Sequence, residues 1–314
     1  MKTFIRVVEV WVPDAGHTLL EWGSGLYPDA PRFGAISRTM CFGRAEGLPG
    51  QAWDTGRPIV LKQFEGSYFL RTRAAAAEGL TCGIALPFFH GERLTAVMLI
   101  FCGDSQSHAG AIELWHNEPD LSPDLTLHDG YYGTTAEVFE FVARQTAFRR
   151  GFGLPGLAWD SALPVFMPDL GRGTRFIRAD SALQVGINRG LAIPCSARGG
   201  DDVWVMALLS ALGTPIVRRF ETWLPDASGH HLLRREGFCE VRGAIGAGSA
   251  ADRIELGEGL LGQVLASRAP AVADSAPQQP GAVGVAAGEF AFESVAALPV
   301  LHGGRVIAVV AWYF

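Results

Sequence analysis

A short phrase recurs at a fixed interval along the chain, and this period constrains the architecture more than any local pattern does. Gly-Leu-Pro-Gly begins at Gly47 and at Gly153, and Gly-Leu-Leu-Gly begins at Gly259. Both intervals, from 47 to 153 and from 153 to 259, are 106 residues. A period of this length divides the 314 residues into three units of domain size. The predicted units are 1–107, 108–212 and 213–314.

Other features recur in phase with this phrase and support the division. A proline stands eleven residues after each first glycine, and a Glu-x-Trp triplet lies upstream in each unit. The prolines are Pro58, Pro164 and Pro270, and the triplets end at Trp11, Trp115 and Trp223.

Composition excludes several classes of protein. The formal net charge is −6 without a basic block, so nothing indicates a nucleic-acid partner. With 48% hydrophobic and 18% charged residues the chain is globular. The low share of charged residues suggests that apolar surface is buried between units or between subunits, so a homo-oligomer is one possible arrangement. No apolar stretch approaches 18 residues and no leader opens the chain, so we expect a cytoplasmic protein without a membrane partner. The excess of Arg over Lys is typical of a GC-rich bacterial genome.

The strand and helix patterns of each unit predict two strands, helices, one strand, a helix and two strands. Antiparallel hairpins at both ends with helices between them indicate the α+β class, with one central antiparallel sheet and helices on one side. The strongest helix pattern covers residues 134–150, with Thr134 or Thr135 as the N-cap. Its predicted apolar face is Val138, Phe141, Val142, Gln145 and Phe148.

The core of each unit resembles a GAF domain. In the first unit the resemblance rests on residues 47–61, on the Phe-x-Arg of Phe69 to Arg71, and on the strand of residues 84–88. The second unit repeats it in residues 153–159, 176–178 and 190–194. The third unit keeps residues 257–263 but has lost the Phe-x-Arg, and it is the most degenerate. The resemblance implies a small-molecule-binding sensory module in signal transduction, here without an output domain, whose partner is a small ligand or a signalling protein.

Six residues of the first two units are candidate ligand-binding residues. Trp53 and Trp159 follow the glycine phrase and would line a pocket, or else pack as core aromatics. The arginines Arg71 and Arg178 would clamp a carboxylate or phosphate, or else form ion pairs with Asp54 or Glu78 and with Asp160 or Asp180. The full set is Trp53, Phe69, Arg71, Trp159, Phe176 and Arg178.

The sequence contains no motif for a catalytic, metal or nucleotide site, and the cofactor is unknown. The five cysteines form no Cys-x-x-Cys and read as reduced thiols. Two alternatives stay open: a redox enzyme or sensor working through Cys41, Cys82 or Cys239, and a purely structural oligomerisation module.

The joints between units are too short for connecting helices, since only residues 103–110 and 210–214 separate the predicted strands. We therefore predict three units in one rigid body. A bolder prediction is strand exchange, in which final strands pair with the next unit's first hairpin and residues 4–12 pair with residues 306–314. We also predict positive φ or close backbone approach at Gly47 and Gly153.

Overall fold

The computed structural model of the protein describes residues 3–103, 110–133, 137–171, 176–199, 202–211, 213–249 and 252–314. Within these ranges the chain forms three antiparallel sheets, each from one continuous stretch of sequence, with helices packed on one face. The predicted α+β class is confirmed. No described helix is both long and apolar enough to cross a membrane.

The first unit consists of a sheet and three helices. Its elements are β1 (Ile5–Pro13), β2 (Leu19–Leu26), α1 (Pro31–Ser37), β3 (Cys41–Gly43), α2 (Gly47–Thr55), β4 (Ile59–Leu61), α3 (Thr72–Ala77), β5 (Cys82–His90) and β6 (Arg93–Cys102). The strand order is β3-β2-β1-β6-β5-β4, so the first and last strands of the unit pair at the centre of the sheet.

The second unit repeats this topology. Its elements are β7 (Gly110–Asn117), β8 (Leu125–Tyr131), α4 (Glu137–Arg144), β9 (Ala147–Phe148), α5 (Gly153–Ser161), β10 (Val165–Met167), α6 (Ala179–Gln184), β11 (Arg189–Cys195) and β12 (Trp204–Ser210). The strand order is β10-β11-β12-β7-β8-β9. Read in reverse, from β9 to β10, it is the same order as in the first sheet, with β7 in the position of β1 and β12 in the position of β6.

The third unit keeps the same central strands and differs at one edge. Its elements are β13 (Arg219–Pro225), β14 (His231–Cys239), β15 (Gly243–Ile245), β16 (Ile254–Glu255), α7 (Gly259–Ser267), β17 (Ala271–Ala273), α8 (Gly281–Phe290), β18 (Val295–His302) and β19 (Arg305–Tyr313). The order is β15-β14-β13-β19-β18-β17, and β16 pairs with β14 as β3 pairs with β2. The helix counterpart of α1 and α4 is replaced here by β15 and the segment after it.

The repeated glycines allow α2, α5 and α7 to pack closely on the chain that precedes them. The first glycine of each phrase has positive φ, at +58° for Gly47 and +67° for Gly153, as predicted. A Cβ at the second glycine would lie about 2 Å from a carbonyl oxygen; at Gly156 the distance to the Arg149 oxygen would be 2.2 Å. The phrase therefore recurs because a side chain at either glycine would push the helix away.

The three sheets share one apolar core on the faces opposite the helices. Its members come from all three units, for example Ile100, Met206 and Val310. The short strand before the last helix of a unit contacts the first hairpin of the next unit: β4 contacts β7 and β8, and β17 contacts β1 and β2. Between the second and third units the ring of Phe166 lies 4.5 Å from that of Phe220. The contacts therefore run around a closed ring of units.

The predicted strand exchange is wrong. The final strand β6 pairs with β1 of its own unit, and β12 and β19 pair likewise with β7 and β13. The ring closes instead through side chains and through two backbone hydrogen bonds, which Phe4 and Ile5 donate to Pro215 and Ile216. Exchange is unnecessary because each sheet already places its first and last strands side by side.

The predicted helix of residues 134–150 is also corrected. It ends at Arg144, because the chain turns back to the sheet and buries Phe148 in β9. The buried side chains of α4 are Phe139 and Ala143, whereas Val138 and Phe141 are exposed. The N-cap expected at Thr134 or Thr135 lies outside the described residues.

Candidate functional site

A fully buried glutamate lies in the first strand of each sheet, on the face that carries the helices. The indole nitrogen of the tryptophan two residues later donates a hydrogen bond to it, because residues i and i+2 of a strand point to the same face. The strand register shifts just before this tryptophan in all three units. The pairs are Glu9 with Trp11 at 2.9 Å, Glu113 with Trp115 at 3.0 Å and Glu221 with Trp223 at 3.1 Å.

A tyrosine hydroxyl donates a second hydrogen bond to each glutamate. Tyr27 reaches Glu9 at 3.0 Å and Tyr132 reaches Glu113 at 3.2 Å. In the third unit Tyr313, which comes from a different strand, donates to the glutamate at 2.7 Å. Burial, and next the neighbouring carboxylate, raises the pKa of each phenol. The hydroxyls therefore stay protonated and act as donors at neutral pH.

An arginine completes the cluster in the first two units. Arg71 and Arg178 each stand immediately before a helix, α3 and α6, and each is 3% exposed. Arg71 donates from Nη1 to Glu9 at 2.6 Å, and Arg178 donates from Nη1 and Nη2 to the two oxygens of Glu113 at 2.6 Å each. Both predicted arginines therefore have an internal carboxylate partner.

The carboxylates expected as ion-pair partners lie elsewhere. Asp54 pairs with Arg44, and Asp160 pairs with Arg150, both at the surface. The acidic residues predicted as partners lie within about 20 residues of the arginines in the chain. The glutamates that actually pair with the arginines are more than 60 residues away. The repeated Glu-x-Trp triplet was the signal for them, since a carboxylate between apolar residues of a central strand must be buried and paired.

The aromatic candidates divide into two groups. Phe69 and Phe176 are buried, and their rings lie 5.4 Å from the Arg71 guanidinium and 5.5 Å from that of Arg178. Trp53 and Trp159 are half-buried and pack on the helix-side cores of their units. The assignment of these residues to ligand binding stays a prediction.

Two arginines contact the glutamate of the third unit. Val283 occupies the position that corresponds to Arg71, sixteen residues before a strand proline, and the cations come from the sheet instead. Arg219 of β13 pairs with Glu221, and Arg234 of β14 donates to the same oxygen at 3.3 Å. Glu221 thus contacts two arginines, whereas Glu9 and Glu113 are each matched by one arginine. Asp252 also pairs with Arg234, so the two arginines are matched by two carboxylates.

A cavity of about 570 Å³ lies beside these arginines. One wall is the α8 helix, where the small residues Gly281, Ala282 and Ala286 leave space, and another is the segment 244–247 after β14. In the first two units α1 packs against α3 and α4 packs against α6. The cavity occupies the corresponding side of α8, where β15 and residues 246–249 take the place of that helix in the third unit.

The cavity is lined by charged side chains. Arg234 also contacts Asp252 at 3.3 Å, and at the mouth Arg242 forms an exposed pair with Glu289 at 3.0 Å. The Nε atoms of Arg219 and Arg234 are buried and find no hydrogen-bond partner within the described part of the chain. Buried donors of this kind are normally paired, so they suit an acceptor that enters the cavity.

A second opening, of about 830 Å³, lies between units. It is lined by the turns of the hairpins β5–β6, β11–β12 and β18–β19, with His90 and His302 among its residues. Both histidines are exposed. Among the described residues that line it, the charged side chains Arg150, Asp202, Arg268 and Arg305 are all at least partly exposed.

The C-terminal part of the chain matches a known protein family. Residues 222–314 match the family described as GAF domain. The third unit is a GAF domain. The first two units share its strand order and are GAF-like, so the chain contains tandem GAF-like units, as the sequence predicted.

Solved structures that are similar to this chain each match about a third of it. The nlh2 GAF domain of A. Aeolicus in an inactive state is 19% identical over 32% of this chain and 60% of its own, with a TM-score of 0.27. A mutated NreA protein of Staphylococcus aureus, altered in its nitrate binding site, is 15% identical over 32% of this chain and 75% of its own, also at 0.27. The chain thus spans less than two thirds of the first of these structures. No curated protein matches the sequence significantly.

Proposed function

We propose that this protein is a regulatory GAF protein that binds a small anionic molecule in the cavity of its third unit. The single observation behind the proposal is the pair of guanidinium groups on Glu221, whose buried Nε donors lack partners beside a 570 Å³ cavity. A carboxylate or phosphate would accept hydrogen bonds from the buried Nε–H groups of this pair.

The proposed ligand site lies in the third unit, whereas the sequence predicted ligand binding in the first two units. In those units Nε of Arg71 and of Arg178 also finds no partner among the described residues, but each arginine is 3% exposed and is enclosed by aromatic rings and its paired glutamate. In the third unit Arg219 and Arg234 line a cavity, so an anion can accept from their Nε–H groups while the ion pairs with Glu221 and Asp252 stay in place. The ligand-binding roles of Trp53, Phe69, Arg71, Trp159, Phe176 and Arg178, and the unit boundaries 1–107, 108–212 and 213–314, remain predictions of the sequence.

The redox alternative has less support. Cys82 and Cys102 are both buried, and burial raises the pKa of both thiols. A thiol of this kind holds little thiolate at neutral pH, and the thiolate is the reactive form. Cys239 is also buried, and Cys41 is exposed.

The proposal is tested by ligand-dependent shifts of the unfolding temperature. Inorganic phosphate, succinate and a nucleoside monophosphate serve as probes, because a ligand that binds only the folded state raises the unfolding temperature. At least one probe should stabilise the parent. The Arg242→Gln variant, which removes an exposed cation at the mouth, and Val285→Trp, which narrows the entrance at an exposed position, should both weaken that effect.

The matched control is Arg235→Gln. Arg235 is the exposed neighbour of Arg234 and points to the opposite face of β14. This variant should respond to the probe as the parent does. Equal loss in Arg235→Gln and Arg242→Gln, or a full response in Val285→Trp, would place binding outside the cavity.

A further inference from the structure

Two histidines and a glutamate of the second unit converge at one end of its sheet. His116 lies near the end of β7, Glu118 follows that strand, and His128 lies in the neighbouring strand β8. Each offers a ligand atom, and these atoms all lie within 4.8 Å of one another. Nδ1 of His116 is 3.5 Å from Oε1 of Glu118. A zinc ion with ligand distances of about 2.0 Å holds tetrahedral ligands about 3.3 Å apart, so small side-chain movements would complete the site.

The buried member of the cluster lacks hydrogen-bond partners. His116 is 5% exposed, and within the described residues neither of its ring nitrogens makes a hydrogen bond. Its ring stacks on the indole of Trp204, with centroids 3.9 Å apart, and the ring of His128 meets the same indole edge-on at 4.8 Å. The imidazoles are thus oriented by packing, while the nitrogen lone pair of His116 is left available.

The fold itself does not require these histidines. The residue that follows the repeated strand tryptophan is Val12 in the first unit, His116 in the second and Leu224 in the third. The apolar residues of the first and third units fill the same position without a polar atom. In the neighbouring strand the counterparts of His128 are Gly23 and Arg235, according to the strand registers. The cluster is therefore a feature of the second unit alone.

A carboxylate stands behind His116. Oδ2 of Asp202 lies 3.6 Å from Nε2, the ring nitrogen on the side away from Glu118. Histidines that bind a metal through one nitrogen commonly donate the other N–H to a carboxylate, which fixes the tautomer and raises the basicity of the ligand. Together Asp202 and Glu118 supply two negative charges, enough to balance a divalent cation.

We propose that the second unit binds a divalent transition-metal ion through Nδ1 of His116, a carboxylate oxygen of Glu118 and a ring nitrogen of His128, with Asp202 orienting His116. Two imidazoles and one carboxylate suit Zn²⁺, Co²⁺ or Ni²⁺ rather than Mg²⁺ or Ca²⁺. Glu118 and His128 are exposed, so the ion enters from solvent. Three protein ligands leave a fourth tetrahedral position open to water or to a small ligand.

The test uses the full chain and the metal alone. Titration with Co²⁺ should give visible d–d absorption of tetrahedral strength at one equivalent, and Zn²⁺ should displace it. The exposed-site variants His128→Gln and Glu118→Gln should bind at least tenfold more weakly, and Asp202→Asn about tenfold more weakly through His116. The control His90→Gln removes an exposed histidine outside the cluster and should bind as the parent does.

Circular dichroism of each variant establishes that it is folded. A folded parent that binds neither Co²⁺ nor Zn²⁺ would overturn the proposal. So would equal binding by the parent, His128→Gln and Glu118→Gln, since the ion would then lie elsewhere. A loss in His90→Gln as large as in His128→Gln would likewise assign binding to scattered surface histidines.

Discussion

Arg178 donates from both terminal nitrogens to the two carboxylate oxygens of Glu113, at 2.6 Å each, in a site that excludes water from both side chains. The indole of Trp115 and the hydroxyl of Tyr132 donate to the same carboxylate. The glutamate is thereby fully satisfied, and the arginine that the sequence assigned to a ligand is held by the protein itself. Removing the arginine alone would leave the carboxylate of Glu113 buried without a cation.

Arg178→Ala should therefore lower the free energy of unfolding of the ligand-free protein by about 3–5 kcal/mol, because Glu113 would be left as an unpaired buried charge. Denaturant unfolding measures this. The control is Arg150→Ala, which breaks the surface pair with Asp160 and should cost less than about 1 kcal/mol. Unchanged stability of Arg178→Ala, combined with loss of a ligand-induced shift, would instead support the ligand clamp.

The helix glycines give a second prediction. Gly156→Ala should destabilise the protein by about 1–3 kcal/mol, since its Cβ would lie 2.2 Å from the Arg149 carbonyl oxygen and would push α5 from the preceding chain. Gly288→Ala in α8 meets nothing within 4 Å and should stabilise by up to about 1 kcal/mol through helix propensity. In urea unfolding the midpoint of Gly156→Ala should fall below that of the parent, and the midpoint of Gly288→Ala should rise above it. A shift of both midpoints in the same direction would contradict the close approach of α5 to the Arg149 carbonyl.

Stability should fall at alkaline pH. Burial raises the pKa of Cys82 and Cys102 in the folded protein, while in the unfolded chain both thiols ionise near pH 8.5. Their contribution is thus fully present below pH 8.5 and is lost as the pH rises toward the folded values. Between pH 8.5 and 9.5 the two thiols should cost about 2 kcal/mol of unfolding free energy.

The matched variant for this effect is Cys102→Ala. It should lose about 1 kcal/mol less stability than the parent over the same pH interval, whatever its stability at pH 7. Unfolding curves at several pH values measure both slopes. A parent whose stability is constant from pH 8.5 to 9.5 would show that the thiols are accessible in the folded protein.

Packing between units should couple their unfolding. Phe220 of the third unit is 6% exposed and meets Phe166 of the second in the shared core. Phe220→Ala should cost about 3–5 kcal/mol and lower the whole thermal transition, because the units share one apolar core. The control Phe152→Ala, which truncates an exposed ring of the second unit, should change little. Separate transitions, of which only the third unit's moves, would refute the rigid body predicted from the short joints.

Most of the fold could be predicted from the sequence. The 106-residue period, the paired glycines and the strand patterns are local, since they depend on neighbours within a few residues and on repetition. The positive φ at Gly47 and Gly153 follows from the same local signals. The predicted end of the helix at residues 134–150 was wrong, because its apolar pattern continues in the sequence beyond the last helical residue. In the structure the helix ends at Arg144 and Phe148 lies in β9.

The sequence alone thus determined three repeated α+β units with GAF-like cores, because the repeat period and the turn residues can be recognised from residues that are close together in the chain. Only the tertiary structure decided the ion pairs of Arg71 with Glu9 and of Arg178 with Glu113, since more than 60 residues separate the partners. It likewise decided that the open cavity lies in the third unit, where Arg219 and Arg234 come from two strands. A buried charge takes whichever partner the sheet brings within reach, and that choice depends on strand order rather than on sequence spacing.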